Sequence, residues 1–335
     1  MAPQNRIVFG TMTCGPEGTS GARITSIKGT KEILDTFKSF GYDELDTARM
    51  YCEGNTEKYL AQVGYKESGF KLATKVYPVS NEHEPEVLKA KLEESLDALG
   101  QTSTDIFYLH APAWETPLEP TLKAVDELYR AGKFRTFAIS NYCAWQIAEI
   151  SILCRERGWV RPTLAQYMYN AITRSIEAEV IPACRKYGLD LVVYNPLAGG
   201  FFAGTYRKDE TPAEGRFSHG KQGENYRKRY FRDSYFEALQ QLRPVAEKSG
   251  ISLLQMALRW LVHHSDLNLA SRGRGGNDGI IIGASSVAHL ESNLRDFEEG
   301  PLPDNVVAAL DDAWRTVKAD TPNYWHGDVK VTYQV

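Results

Sequence analysis

Short apolar runs, many of them β-branched, alternate along this chain with longer segments whose apolar residues recur every three or four positions. The first pattern is that of a buried strand and the second that of an amphipathic helix. Eight alternations can be drawn, with strands predicted over residues 6–11, 44–48, 71–76, 105–110, 136–141, 164–169, 191–195 and 279–283. Helices are predicted over 86–99 and near 30–40, 121–131, 145–157, 176–187, 252–263 and 288–297. In the first of these, Val87, Leu88, Leu92, Leu96 and Leu99 fall at helical steps, and Gly100 stands where a left-handed cap would end the helix. Strands alternating with helices imply parallel pairing through right-handed crossovers. Eight repeats predict closure into an α/β fold of the (β/α)8 TIM-barrel type, as a single domain over 1–335. An open doubly wound sheet is the alternative, but no GxGxxG turn follows an early strand. No linker rich in Pro, Gly or Ser divides the chain. One long irregular stretch, 198–234, falls between the seventh strand and its helix and reads as a lid loop, and 319–335 reads as a C-terminal tail.

In such a barrel the C-terminal ends of the strands carry the active site. Asp46 in ELDTA, Lys75 in LATKV and His110 in FYLHAP stand there, and Tyr51 follows Asp46 by five residues in the next loop. A tyrosine hydroxyl is a poor proton donor at neutral pH unless a nearby positive charge favours its anion, and Lys75 can supply that charge. A buried ammonium needs a partner of its own, which Asp46 provides. An imidazole at His110 can donate a hydrogen bond to a substrate oxygen, holding a carbonyl and favouring charge that develops there. These roles make a carbonyl reductase. Side chains deliver no hydride, so the reading calls for a nicotinamide cofactor. Taken singly, each residue has a plainer explanation: Asp46 as a loop cap, Lys75 as a paired strand-end cation, His110 as a satisfied core histidine, Tyr51 as packing. Their convergence on one rim carries the argument.

Composition narrows the class further. With 42% hydrophobic and 24% charged residues and a net charge of −4, the chain presents no basic field for nucleic acid or an anionic membrane. The expected partner is a small molecule. Cys14, Cys52, Cys143, Cys154 and Cys184 are odd in number and lack a CxxC pair, which argues against a disulfide framework or structural zinc and for a reducing compartment. No basic-then-apolar N-terminus and no apolar run of about 18 residues occurs, so the expected address is the cytoplasm. No HExxH or convergent histidine set supports a metal-dependent hydrolase, and no metal is expected.

FGTM at 9–12, LDTARMY at 45–51, LATKV at 72–76, FYLHAP at 107–112, ISNY at 139–142, AQYMYN at 165–170, VYNPLAGGFFAG at 193–204 and IIIGASSVAHLESNL at 280–294 follow one another in a specific order. By these segments the chain resembles the aldo-keto reductase superfamily, and within it the aflatoxin-aldehyde reductase group. The resemblance covers almost the whole chain. It implies a barrel that uses NADPH without a Rossmann domain to reduce aldehydes and some ketones, and it implies a homodimer. It makes Tyr51 the proton donor, Lys75 and Asp46 its supports, and His110 the residue that orients the carbonyl substrate. Ser140, Asn141 and Gln166 then clamp the nicotinamide carboxamide, with Asp46 also counted among the cofactor contacts, and Tyr194 stacks on the ring. Asn195, Pro196, Leu197, Gly199, Gly200 and Gly204 bring backbone to the pyrophosphate, while Gly283, Ser285, Ser286, His289, Glu291 and Asn293 hold the adenosine end. In the lid, Arg216 meets cofactor phosphate, and Tyr226 and Arg229 meet substrate. Relatives commonly carry an arginine after PNY and an aromatic residue; here PNYWHG puts His326 in that place, which argues against carrying over a preference for carboxylates. Cys14 and Cys52 also depart from the commonest residues beside the pocket. The basic run SRGRGG at 271–276 precedes the eighth strand, so it is expected on the opposite rim and not at a cofactor phosphate. The same barrel also serves cofactor-sensing subunits, such as potassium-channel β subunits, and the intact quartet argues for an enzyme.

Overall fold

All eight apolar runs become strands in the computed structural model, which describes residues 5–272 and 276–329. In chain order they are β1 (Arg6–Gly10), β2 (Glu44–Asp46), β3 (Lys71–Val76), β4 (Thr104–Leu109), β5 (Phe134–Ser140), β6 (Leu164–Met168), β7 (Asp190–Tyr194) and β8 (Gly279–Ile282). Each pairs in parallel with its sequence neighbours, and β8 returns to β1, with Ile7 opposite Ile280, to close the barrel. Outside it lie α1 (Ile27–Ser39), α2 (Thr56–Gln62), α3 (Pro85–Leu99), α4 (Leu118–Arg130), α5 (Ala144–Arg157), α6 (Val180–Tyr187), α7 (Lys221–Tyr230), α8 (Asp233–Ser249), α9 (Leu253–His263), α10 (Val287–Glu298) and α11 (Asp304–Val317).

Successive side chains of a strand point to opposite faces, so every second residue enters the lumen. One apolar cluster fills it: Val8, Ala73, Ile106, Tyr108, Ala138, Leu164, Val192 and Ile281. Two residues further along the same rows come Gly10, Lys75, His110, Ser140, Gln166, Tyr194 and Gly283. The strand-borne candidates are therefore the top layer of the barrel filling. The alternate residues, among them Phe9, Leu45, Leu72, Phe107, Phe137 and Leu191, face the helices in a second, larger cluster. In α3, Leu88, Leu92, Leu96 and Leu99 are buried there, each such side chain contributing about 1.5–3 kcal/mol. Gly100 ends that helix at φ 63°, as its position predicts.

Four helices were not read from the sequence. α2 has only seven residues. α8 and α11 pack on each other, burying Tyr235, Ala238, Leu239 and Leu242 against Val306, Leu310, Ala313 and Val317. The stretch 198–234 is a correction as well: it is not irregular, since it holds a 3-10 turn (Ala198–Ala203) and α7, and α8 begins within it. α7 is polar on most positions and buries only Gly223, Tyr226 and Tyr230, too sparse an apolar face to be read as a helix. Among the described residues no helix is long and apolar enough to cross a membrane.

Candidate active site

β2 is three residues long, so the chain leaves the barrel wall immediately after Asp46. Thr11 steadies this exit, its N–H and its hydroxyl both donating to the Asp46 carbonyl at 2.9 Å. The carboxylate accepts from Lys75 Nζ at 2.5 Å through Oδ1 and from Gln166 Nε2 at 2.8 Å through Oδ2. Lys75 is 0% exposed and donates again to the Thr47 carbonyl at 2.6 Å, while the Tyr51 hydroxyl lies 3.5 Å away. An ammonium has three protons, and these three oxygens account for them. Burial pushes Lys75 down and Asp46 up, and each shift is opposed by the other's charge. With Thr47 and Gln166 completing its hydrogen bonds, the pair remains ionised.

Burial also pushes the Tyr51 phenol well above its ordinary value, and the Asp46 charge adds to the shift. The expectation that Lys75 favours the phenolate is therefore outweighed: Tyr51 rests here as a neutral phenol. The His110 ring stands edge-on to Tyr51, with centroids 6.0 Å apart, and to Tyr77 at 5.3 Å. Desolvation, and then the Lys75 charge, hold its pKa well below the histidine range, so the ring is neutral at pH 7. Its Nδ1 is buried without a hydrogen-bond partner among the described residues.

Tyr51 opens a turn in which Cys52, Glu53 and Gly54 have φ of 46°, 58° and 84°. Left-handed backbone costs a non-glycine residue about 1–2 kcal/mol, so the turn has to be held from outside. Arg49 holds it, donating to the Gly54 carbonyl at 2.5 Å and forming an ion pair with Glu57. Cys14 and Cys52 are free thiols raised by burial, Cys14 to about 12, and line the wall as unreactive groups.

Across the lumen, Ser140 Oγ donates to the Gln166 carbonyl at 2.9 Å, and Asn141 Nδ2 donates to Ser140 Oγ at 2.9 Å and to the His110 carbonyl at 3.0 Å. Asn141 Oδ1 accepts from the Tyr194 hydroxyl at 2.9 Å, so these four residues are brought together. Asn195, at φ 59°, accepts from the Tyr226 hydroxyl at 3.2 Å and donates to Tyr230 at 3.3 Å, tying α7 to the end of β7. Pro196 and Leu197 lead into the glycine turn. Gly199 is required there: at φ 70° an added Cβ would stand 2.7 Å from the Tyr226 ring. Gly200 and Gly204 continue the turn, also with positive φ.

The Tyr226 ring lies between two guanidinium groups, Arg216 at 5.2 Å and Arg229 at 5.3 Å. Among the described residues no carboxylate pairs with either, and Arg216 Nη1 is buried with no hydrogen-bond partner. A desolvated guanidinium nitrogen without a counter-charge is costly, and a guanidinium matches phosphate geometry. Arg216 thus fits a phosphate of a nicotinamide cofactor. Arg23, not singled out from the sequence, donates to the Gly215 carbonyl at 2.6 Å and links the β1 loop to this lid.

The tail reaches the same pocket. His326 donates its N–H to the Asn141 carbonyl at 3.3 Å and accepts from Trp114 Nε1 at 2.8 Å through its own carbonyl. Its Nε2 lies 3.4 Å from both the Tyr194 hydroxyl and Arg229 Nη2. Burial, then Arg229, brings its pKa down to about 3.

At β8 the arrangement is that of a capped helix start. Ser286 Oγ accepts from the His289 N–H at 3.2 Å, Ser285 Oγ lies 3.1 Å from His289 Nδ1, Glu291 pairs with Arg295 at 3.9 Å, and Asn293 is buried. Gly283 sits on the rim, and Thr13 binds this loop to β1 through the Ala284 carbonyl at 3.0 Å. A helix N-terminus of this kind suits a phosphate. Ser271 donates to Asn5 beside the start of β1, so the basic run begins on the opposite rim; Gly273, Arg274 and Gly275, like tail residues 330–335, lie outside the described residues. Sequence reasoning also passed over Tyr77, Arg49 and Glu57. Tyr77 carried a signal, since it lies just beyond β3 on the rim that holds Lys75; Arg49 and Glu57 belong to a turn and a helix too short to draw.

The closed (β/α)8 barrel thus gathers Asp46, Tyr51, Lys75 and His110 on its C-terminal rim. The family profile described as "Aldo/keto reductase family" matches residues 6–315. Aflatoxin B1 aldehyde reductase member 2 of Mus musculus is 40% identical over 330 residues, spanning 95% of this chain and 87% of the relative. An aldo-keto reductase of Pseudocercospora fijiensis is 43% identical over 300 residues, 88% of this chain and 100% of the relative, and aldo-keto reductase pigE of Monascus ruber is 38% identical over 347 residues, 97% and 99%. The chain belongs to the aldo/keto reductase family.

Proposed function

We propose that the protein reduces an aldehyde or ketone to the alcohol with NADPH as the reductant and Tyr51 as the proton donor. The observation that carries this reading is the Tyr51 hydroxyl 3.5 Å from an ammonium locked to Asp46, with a neutral His110 beside it. Relatives named as aldehyde reductases support the substrate class. Bound NADPH would supply hydride to the carbonyl carbon. Arg216 and the Asn195–Gly204 turn would hold its pyrophosphate, Ser285, Ser286, His289, Glu291 and Asn293 its adenosine end, Ser140, Asn141 and Gln166 its carboxamide, and Tyr194 its ring.

The chain's own residues then handle the oxygen. His110 donates a hydrogen bond to the substrate oxygen and selects the carbonyl. Tyr51 keeps its proton until that oxygen becomes more basic than a phenolate, and then releases it; a raised phenol pKa suits an acid whose acceptor is a developing alkoxide. The Lys75 ammonium stabilises the phenolate as it forms. Tyr77, His326 and the lid cover the pocket and keep water from the reacting oxygen. The free cysteines are in keeping with a cytoplasmic address, and the resemblance supports a homodimer, which size-exclusion chromatography tests.

The test is an initial-rate screen of aldehydes and ketones, following loss of NADPH or NADH absorbance in parallel. Turnover of aldehydes with NADPH preferred is expected. Tight NADPH binding with no turnover of any carbonyl overturns the reading in favour of a cofactor-sensing subunit.

A further inference from the structure

Glu57 lies outside the quartet, yet it is a fully buried carboxylate between α2 and the outer face of β3, the strand that carries Lys75. Its side chain is 0% exposed at the start of α2. One oxygen accepts from the Thr74 hydroxyl at 2.6 Å, and the carboxylate forms an ion pair with Arg49. Both partners adjoin the proton-transfer groups: Thr74 precedes Lys75 on β3, and Arg49 stands two residues before Tyr51. Arg49 also donates its backbone N–H to the Lys75 carbonyl at 3.0 Å and its guanidinium to the Gly54 carbonyl at 2.5 Å and the Glu94 carbonyl at 3.2 Å. A single residue therefore ties the start of the Tyr51 turn to the strand that carries Lys75 through its backbone and holds the end of the turn through its side chain. The turn needs this hold, because Cys52, Glu53 and Gly54 are left-handed in succession. Gly54 suits glycine because its φ of 84° is left-handed, and a Cβ there would also displace the Arg49 guanidinium.

We propose that Glu57 is a positioning residue for proton transfer: through Arg49 and Thr74 it fixes the Tyr51 hydroxyl against Lys75. The inference rests on the roles proposed above for Tyr51 and Lys75. The groups around the Lys75 ammonium are Asp46 from β2, Tyr51 from the turn, and Tyr108 and His110 from β4, while Glu57 from α2 and its partner Arg49 lie on the helix side of β3, from where the Glu57 charge also favours the cation. Of these only Asp46 and Glu57 are carboxylates. Neutralising Glu57 leaves Asp46 alone to hold the lysine charged, so the lysine gives up its proton at lower pH and activity is lost sooner as pH rises.

Glu57→Gln keeps an acceptor for Thr74 and removes the charge. The double variant Arg49→Met/Glu57→Met removes both charges at similar volume, so no lone ion is left buried. Glu57→Asp keeps the charge but draws it back from Arg49. The readouts are kcat, carbonyl KM, the pH profile of kcat, NADPH affinity by fluorescence, and thermal melting. For Glu57→Gln we expect kcat down about tenfold with KM and NADPH affinity within about twofold, and a basic limb displaced to lower pH by about half a unit. The double variant should melt near wild type with kcat still down about tenfold or more, and Glu57→Asp should restore the basic limb but not kcat. A folded double variant with wild-type kcat and an unmoved basic limb overturns the proposal, because a purely structural ion pair would give that result. Tyr51→Phe is assayed alongside. If it keeps wild-type turnover, the proton-donor reading fails; if it is inactive while the Glu57 variants match wild type, only the positioning role fails.

Discussion

Lys75 and Arg216 are cations on the same barrel rim, yet Lys75 has three oxygens from its own chain within 3.5 Å and Arg216 has a buried nitrogen with none among the described residues. The contrast extends to their surroundings. From β2 to β4, charge is matched by charge: Asp46 with Lys75, Glu57 with Arg49. Around β7 and the segment that follows it, Arg216 and Arg229 stand close to Tyr226, Arg229 also meets the neutral His326, and among the described residues no carboxylate pairs with either. The first region has its charges matched within the chain. The second leaves its guanidinium groups without a carboxylate among the described residues, as the proposed binding of cofactor phosphate and substrate there requires.

This difference is open to direct attack. The largest effect is expected for Lys75→Met, which strands the buried Asp46 carboxylate: stability to denaturant should fall by about 3–5 kcal/mol, and turnover should fall by about a thousandfold or more. Arg216→Met should do the opposite to the fold, leaving stability equal or higher, while NADPH affinity falls about 10–100-fold in fluorescence titrations. Matching losses of stability in the two variants would erase the distinction between the regions. Arg229→Met should act more weakly still, raising KM about tenfold for carbonyl compounds that bear a negative charge and about twofold or less for neutral ones.

A last effect, on docking and not on turnover, concerns pH and the tail. His326 has an ordinary value of 6.5 and is held at about 3 when docked, so its depressed pKa contributes to docking fully above 6.5 and progressively less as pH falls toward 3. The loss is about tenfold in docking equilibrium per pH unit, or about thirtyfold between pH 7 and pH 5. The protection factor of the His326 backbone N–H, which bonds the Asn141 carbonyl, that is its exchange rate corrected for the intrinsic pH dependence of amide exchange, should fall over this window in the wild type. In His326→Gln that pH dependence should flatten. An equal slope in both would show that another group controls the tail.

The region finished by its own chain was also the more legible in the sequence. Period-two alternation places Lys75 two residues above Ala73 and His110 two above Tyr108, so their shared rim follows from the strand pattern alone. The same rule reaches Ser140, Gln166 and Tyr194. It stops where function leaves the strands. α7 shows little apolar periodicity because its positions are used for Arg229 and for lid contacts, and the approach of Tyr226 to Gly199 is a tertiary contact without a local signature. α8 and α11 did carry readable spacing, at Tyr235, Ala238, Leu239 and Leu242 and at Val306, Leu310, Ala313 and Val317, but they fall outside the strand–helix count that organised the reading. Glu57 was hidden for another reason. A charged residue on a seven-residue helix looks solvated until the fold brings Arg49 and Thr74 to it.

The central claim is that Tyr51 gives the proton, and Tyr51→Phe tests it most directly, because it removes one oxygen and leaves the Asp46–Lys75 pair in place. NADPH binding and single-turnover reduction of an aldehyde should be measured on the same preparation. Binding within about twofold of wild type, with the reduction step slowed by about a hundredfold to ten-thousandfold, is the predicted result. Reduction at the wild-type rate would contradict it and return Tyr51 to a packing role.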